Sequence, residues 1–367
     1  MRPAAVEAML PFLSECYANP SGSHRFARDA RRAVDEARDI VAECLGVPAG
    51  WVVFTGCGTE SDNAAITGVL DAAARAGRPG TAVCPAAEHH AVLHPVEHHG
   101  GRVVPVDRSG RVDLDALADT LRTTPDVRIV SVMAVNNEVG SVTELDPVCS
   151  LVRELAPDAV LHTDAVQAAS WLDLRALTPS VDMLSLSAHK FGGPKGVGVL
   201  VVRDGTRVAP VIMGGGQERD RRSGTHNVAG IVATAAALAE TDAERHDEVS
   251  RVRSLRDRLV DSLLAELDGV LETVPREHKI AGSAHVCIAD IESEALLYLL
   301  DRAEVCASAA SACASGAMEP SHVLAAMGVE RSWSAGALRM SLGATTTDAD
   351  VDRAVEVVTD AVRQLRR

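Results

Sequence analysis

Short apolar runs alternate with helix-periodic segments from Trp51 to Val202, and no other feature restricts the fold of this chain so tightly. The runs are WVVFTG (51–56), TAVCPA (81–86), RVVPVD (102–107), VRIVSVMAV (127–135), AVLHTD (159–164), VDMLSL (181–186) and GVGVLVV (196–202). Several are apolar nearly throughout, which predicts strands covered on both faces. Between them lie helical patterns from about Ser61 to Ala76 and over AVLHPVEHHG (91–100), LDALADTLR (114–122) and PVCSLVRELA (147–156). This repetition predicts an α/β unit around a mostly parallel sheet. A helical pattern over Arg25–Leu45 precedes it, and a long one from about Ala229 to Leu267 ends the alternation. HVCIAD, a helix from Glu292, a loop rich in Ala and Ser, RMSLG and a terminal amphipathic helix then predict a second, smaller α+β domain.

At 367 residues and 47% hydrophobic, the chain suits one large unit or two packed domains. A net charge of -15 opposes direct binding to nucleic acid or to an anionic membrane. No window reaches the length of a membrane span, and MRPAAVEAMLPFLSEC has no apolar signal region. The eight cysteines are scattered without a CxxC pair, which suggests neither a zinc site nor a disulfide framework. A reducing cytoplasm is the expected location, with most thiols acting as small buried hydrophobes. Cys306 fits that buried role because it follows an apolar run.

Ligands of open parallel sheets sit beyond the carboxyl ends of the strands, and three unusual segments fall there. TGCGTES (55–61) joins a strand to a helix, so its backbone N–H groups and the positive helix end suit a phosphate, with Thr59 adding a hydroxyl. The same segment also reads as an ordinary turn, with Thr59 capping the helix and Asp62 three residues on. HTDAVQ (162–167) puts Asp164 at a strand end, where it is either a solvated carboxylate or the holder of a proton on a ring nitrogen. Gln167 would share its side if a helix begins there. SLSAHKFGGPKGVG (185–198) brings Ser187, His189 and Lys190 to the next strand end. Only three of the 36 basic residues are lysines, and an amine can lose its proton and attack a carbonyl, which a guanidinium cannot. A phosphate cradle, an acid for a pyridine nitrogen and a lysine for an aldehyde are the three anchors that pyridoxal phosphate needs. Cys313 lies in ASAASACASGAMEPS (307–321), where small neighbours predict a mobile loop and an accessible thiol. The five histidines of AEHHAVLHPVEHH have no third-ligand pattern for a metal, and Pro95 is expected to interrupt their helix. His89, just past a strand, could stack on a flat ring instead.

Taken together, these segments resemble the cysteine desulfurases, pyridoxal-phosphate enzymes of aminotransferase fold type I. The resemblance runs from NPSGSHRFARDA (19–30) to RMSLG (339–343), and its sharpest parts are GTESDN, EHHAVL, NNEVG, TDAVQ, SLSAHKFGGPKGVG, GGGQERDRRSGTHN and SACASGAMEPSHVL. The last resembles the subgroup with the longer catalytic-cysteine loop. The resemblance implies a large cofactor-binding domain over 10–240. It also implies a small domain, 1–9 with 241–367, that carries the cysteine loop.

It implies that Lys190 links covalently to the cofactor aldehyde and then takes the substrate α-proton. Asp164 would keep the ring nitrogen protonated, Gln167 would bond the ring hydroxyl and His89 would stack on the ring. Thr59, Ser187 and His189 would hold the phosphate with backbone help from Gly58. Thr225 would reach the phosphate of a second copy, hence a homodimer. Asn137 and Arg339 would bind the carboxylate of L-cysteine, and Cys313 would take its sulfur as a persulfide for an acceptor protein.

Family members usually open with a strand and a DxAATT-like segment, whereas this chain begins at MRPAAVEAM. TGCGTE stands where a serine–glycine–alanine order is usual, which places Cys57 close to the phosphate. The chain stops at QLRR, where longer members carry a tail that docks an iron–sulfur scaffold. Alternatives are a related lyase acting on selenocysteine or another β-substituted amino acid, and a catalytically weak cofactor-binding subunit. The acceptor pathway, iron–sulfur assembly or thio-modification of tRNA, DNA or a natural product, is open at this point.

Overall fold

The computed structural model of the chain describes residues 1–309 and 321–367. Two compact units emerge. Met1–Val104, Leu114–Ala134 and Glu144–Arg245 form the first; Pro105–Asp113, Val135–Thr143 and His246–Arg367 form the second. Residues 1–9, expected with the smaller domain, fall in the first unit. Their anchor there is Arg2, whose guanidinium pairs with Glu240 and Glu244 and whose N–H donates to the Gly192 carbonyl at 2.8 Å.

The first unit is α/β around seven strands, as the alternation predicts. They are β1 (Val52–Thr55), β2 (Thr81–Pro85), β3 (Arg102–Val104), β4 (Val127–Ser131), β5 (Val160–Asp164), β6 (Met183–Ser187) and β7 (Gly198–Val202), in the spatial order β1-β7-β6-β5-β4-β2-β3. Pairing is parallel from β3 through β6, and β7 is antiparallel to both its neighbours. Two antiparallel steps restore direction, so β1 runs the same way as β6. The carboxyl ends of β1, β2, β4, β5 and β6 therefore open on one edge, where such sheets bind ligands.

Helix Gly58–Arg75 starts three residues before the predicted Ser61 and lies over one face of the sheet. Its Ala65, Ile66, Val69 and Leu70 join Val53, Ala82, Ile129, Met183 and Leu200 in a single apolar cluster. Each such Val, Ile or Leu contributes roughly 1.5–3 kcal/mol by leaving water. Strand β4 stops at Ser131, short of the predicted run to Val135. Yet Val132 and Ala134 still donate to His162 and Asp164 carbonyls at 3.0 and 2.9 Å, so the chain follows β5 to its end.

In the second unit β8 (Val270–Glu272), β9 (Ser283–Ile288) and β10 (Ala337–Ser341) form an antiparallel sheet with β9 central. Helices Ser293–Arg302 and Asp348–Leu365 accompany it. The latter begins at a capping box: Thr347 Oγ1 accepts from the Asp350 N–H, and Asp350 Oδ2 accepts from the Thr347 N–H. The long helix predicted near 229–267 spans Val228–Glu266. Among the described residues no helix is long and apolar enough to cross a membrane.

Candidate active site

At the end of β1 the chain turns through Gly56 and Cys57 into helix Gly58–Arg75. The N-cap is Cys57, not Thr59, and no side chain caps the first turn. Thr59 is exposed and Asp62 is buried under the helix, so the turn is not a Thr59 capping box. The leading backbone N–H groups are thus left for a ligand at the positive end of an 18-residue helix. A Cβ on Gly58 would come within 2.7 Å of Val166 Cγ2 and 3.2 Å of Ser187 Cβ, so only glycine lets this turn lie against β6. Ser187 Oγ and His189 Nδ1 are 3.0 Å apart beside it. Burial and the charges of Lys190 and Lys195 push the His189 pKa down, so its imidazole is neutral at pH 7. Uncapped N–H groups, a hydroxyl and an imidazole fit a phosphate.

Asp164 closes β5, nearly buried, with Oδ1 accepting from the Val166 N–H at 2.8 Å. Burial raises its carboxyl to about 6, against the Val166 N–H and the Lys190 charge, which lower it. Lys190 follows β6 on the short turn Ala188–Phe191, ended by Gly192 at φ 83°, and its side chain is exposed there rather than buried at a strand end. His89 caps helix His90–His98: Nδ1 accepts from the Ala91 N–H at 3.0 Å, which leaves the proton on Nε2 and an exposed ring. Pro95 sits inside this helix instead of interrupting it. The Ala91 carbonyl that it cannot satisfy accepts from Asn63 Nδ2 at 3.3 Å, which also ties this helix to helix Gly58–Arg75. Gln167 lies in a turn, because after Asp164 the chain closes the bond Ala168 N–H to Ala165 carbonyl and no helix starts. Thr225 is exposed in the loop before helix Val228–Glu266.

Beneath Asp164 lies a polar layer that the sequence reading missed. His162 is fully buried, with Nδ1 at 2.8 Å from Ser131 Oγ and Nε2 at 2.9 Å from Ser185 Oγ. Asp62 comes down from the helix to Ser185 and lies 3.7 Å from His162 Nε2. Glu88 accepts from the Met133 N–H at 2.6 Å. The signal available was polar residues inside buried runs: His162 and Ser185 share the strands of Asp164 and Ser187.

In the second unit Arg339, on β10, donates from Nη1 to the Asn137 carbonyl at 2.8 Å. Burial pushes its guanidinium below the usual value, against the attraction of Glu138. Among the described residues, Arg339 Nε and Asn137 Oδ1 are both buried without a hydrogen-bond partner, so a donor stands ready for a carboxylate. Asn136 holds the NNEVG turn by accepting from Glu138 and Val139 N–H groups at 2.8 and 3.0 Å. Arg339 also exchanges backbone bonds with Ser308, at 2.7 and 3.0 Å. Cys313 lies outside the described residues. Cys306 is exposed, not buried, since the apolar run before it ends with helix Ser293–Arg302.

The Aminotransferase class-V family profile matches residues 1–354. The chain is 43% identical to the IscS-like cysteine desulfurase of Mycobacterium tuberculosis, over all of this chain and 95% of that protein. It is 40% identical to the cysteine desulfurase NifS of Azotobacter vinelandii, over 98% of this chain and 90% of that one. A solved NifS-like protein superposes with a TM-score of 0.92 at 34% identity, covering 99% of this chain and 96% of the other.

Proposed function

This chain belongs to the class-V aminotransferases and, within them, to the cysteine desulfurases, and from that premise we propose that it takes sulfur from L-cysteine with pyridoxal phosphate bound in the first unit. One observation carries the proposal: Asp164, Lys190 and the uncapped turn at Gly58 all stand at the carboxyl edge of one sheet. The glycine that leaves room at that turn and the donor set around it fit the phosphate, and Asp164 fits the ring nitrogen. When bound, the cofactor supplies an electron sink that weakens the Cα–H and Cβ–S bonds of the substrate.

The chain's own residues do the rest. Gly58, Thr59, Ser187 and His189 hold the phosphate. The Asp164 carboxylate keeps a proton on the ring nitrogen, Gln167 bonds the ring hydroxyl, and the His89 ring stacks above. Lys190 would anchor the aldehyde, and its Nζ would carry the substrate α-proton. Arg339 and Asn137 orient the substrate carboxylate. The Cys313 thiolate attacks the substrate sulfur. The Cβ–S bond breaks with its electron pair left on carbon, Cβ takes a proton, L-alanine leaves and the sulfur stays on Cys313 as a persulfide. An acceptor protein removes it. Thr225 serves the phosphate of a second copy, which makes the working unit a cytoplasmic homodimer.

The test is alanine and sulfide release from L-cysteine with a reductant, by the wild type, Cys313→Ala and Lys190→Ala. The expected result is loss of sulfur transfer in both variants, with cofactor absorbance kept in C313A and borohydride labelling lost in K190A. Sulfur transfer retained by C313A overturns the persulfide role.

A further inference from the structure

The polar layer beneath Asp164 has a direction. Neutral imidazole donates from one nitrogen and accepts at the other, and each nitrogen of His162 faces one serine hydroxyl. Ser185 lies between His162 and Asp62. The chain Asp62–Ser185–His162–Ser131 therefore has two arrangements. With Asp62 ionised, Ser185 donates to it, His162 carries its proton on Nε2 and accepts from Ser131 at Nδ1. With Asp62 protonated every bond reverses: Asp62 donates to Ser185, Ser185 donates to Nε2, and Nδ1–H donates to Ser131.

The surroundings choose between them. Asp62 and His162 are buried, and Asp62 Oδ1 has no hydrogen-bond partner among the described residues. A charge there would be unsolvated. Among the described residues, the titratable groups that act most strongly on Asp62 are Asp164, Glu88 and Cys57, with His162 at 3.7 Å, and none of these is a lysine or arginine. Asp164, by contrast, has the Lys190 charge nearby. Burial and the neighbouring Asp164 both drive Asp62 toward its neutral form, and burial keeps His162 uncharged.

We infer that Asp62 is a positioning residue that stays protonated and, through Ser185, fixes His162 with its proton on Nδ1, leaving Asp164 as the carboxylate that carries charge opposite the ring nitrogen. This rests on the cofactor placement proposed above only in its last clause.

The test uses the full chain, cofactor-loaded as produced. In wild type labelled with 15N-histidine, His162 should show the Nδ1–H tautomer; the Nε2–H tautomer overturns the inference. Asp62→Asn mimics the protonated acid in shape and as a donor. Folded Asp62 titrates above the unfolded value, so its neutral form stabilises fully below about pH 4 and progressively less as pH rises. D62N escapes that loss. Its melting temperature should gain on wild type by roughly 2 °C per pH unit between about pH 5 and pH 8. A D62N deficit that does not change over this range overturns the inference. The pH midpoint of the cofactor's visible band should stay in place in D62N, whereas a fall of half a unit or more would mean that a charge had been removed. If cofactor placement is wrong, only this last readout goes silent; tautomer and melting still decide the state of Asp62.

Discussion

Replacing Glu218 by Gln should lower stability more than any exposed charge change, because of what converges on one carboxylate. Arg38 Nη1 and Nη2 each donate at 2.7 Å, the Phe54 N–H at 2.9 Å and His226 Nε2 at 2.7 Å. Arg38 and Glu218 side chains are 10% and 2% exposed. Burial alone would raise the Glu218 carboxyl, but the His226 and Arg38 hydrogen bonds hold it down at about 2. Its stabilisation is therefore present above the unfolded carboxyl value and is lost as pH falls toward 2. In E218Q an amide N–H₂ faces the Arg38 donors, and a buried guanidinium is left uncompensated. Breaking such a pair costs about 3–5 kcal/mol. Glu218 also opens a left-handed run that favours glycine, with Glu218, Arg219 and Asp220 at φ 50°, 57° and 64°. Calorimetry of the loaded protein at pH 7 should show a melting temperature lower by roughly 4–7 °C. Loop Gly214–Asn227, which carries Thr225, should become sensitive to proteolysis. E218Q melting within about 1 °C of wild type would refute the reasoning.

Gly58→Ala should weaken cofactor binding by the apoprotein about tenfold or more, since its methyl presses Val166 and Ser187 away from the phosphate turn; titration by absorbance or fluorescence checks this. Arg339→Lys should leave the cofactor spectrum intact and raise KM for L-cysteine by roughly 10–100-fold, the loss of a forked, charge-assisted contact. Since Asp164 titrates at about 6, it holds its charge above that value and loses it below. Apoprotein affinity for the cofactor should fall as pH drops from 8 to 5. D164N should bind weakly throughout, with that part of the slope gone.

The strands were legible because both faces of this sheet are covered, so their residues had to be apolar in continuous runs. Lys190 and Asp164 stood out because a charge immediately after such a run has few structural reasons to be there. What the sequence hid is of another kind. β8 is only half-buried and lacks an apolar run. Whether Gln167 sits in a helix or a turn was not legible, because a turn and a first helical turn use the same local spacing. Asp62, Glu88, His162 and Ser185 come from a helix, a loop and two strands, and in sequence each looks like a polar interruption of something apolar. Only the register Asp164↔Ser185 and the helix laid across that face make them one layer. A buried polar group is costly alone and tolerable in a chain, so no member of the layer makes sense until its partners are known. That explains why Asp164 and Lys190 can be read residue by residue while the layer beneath Asp164 cannot.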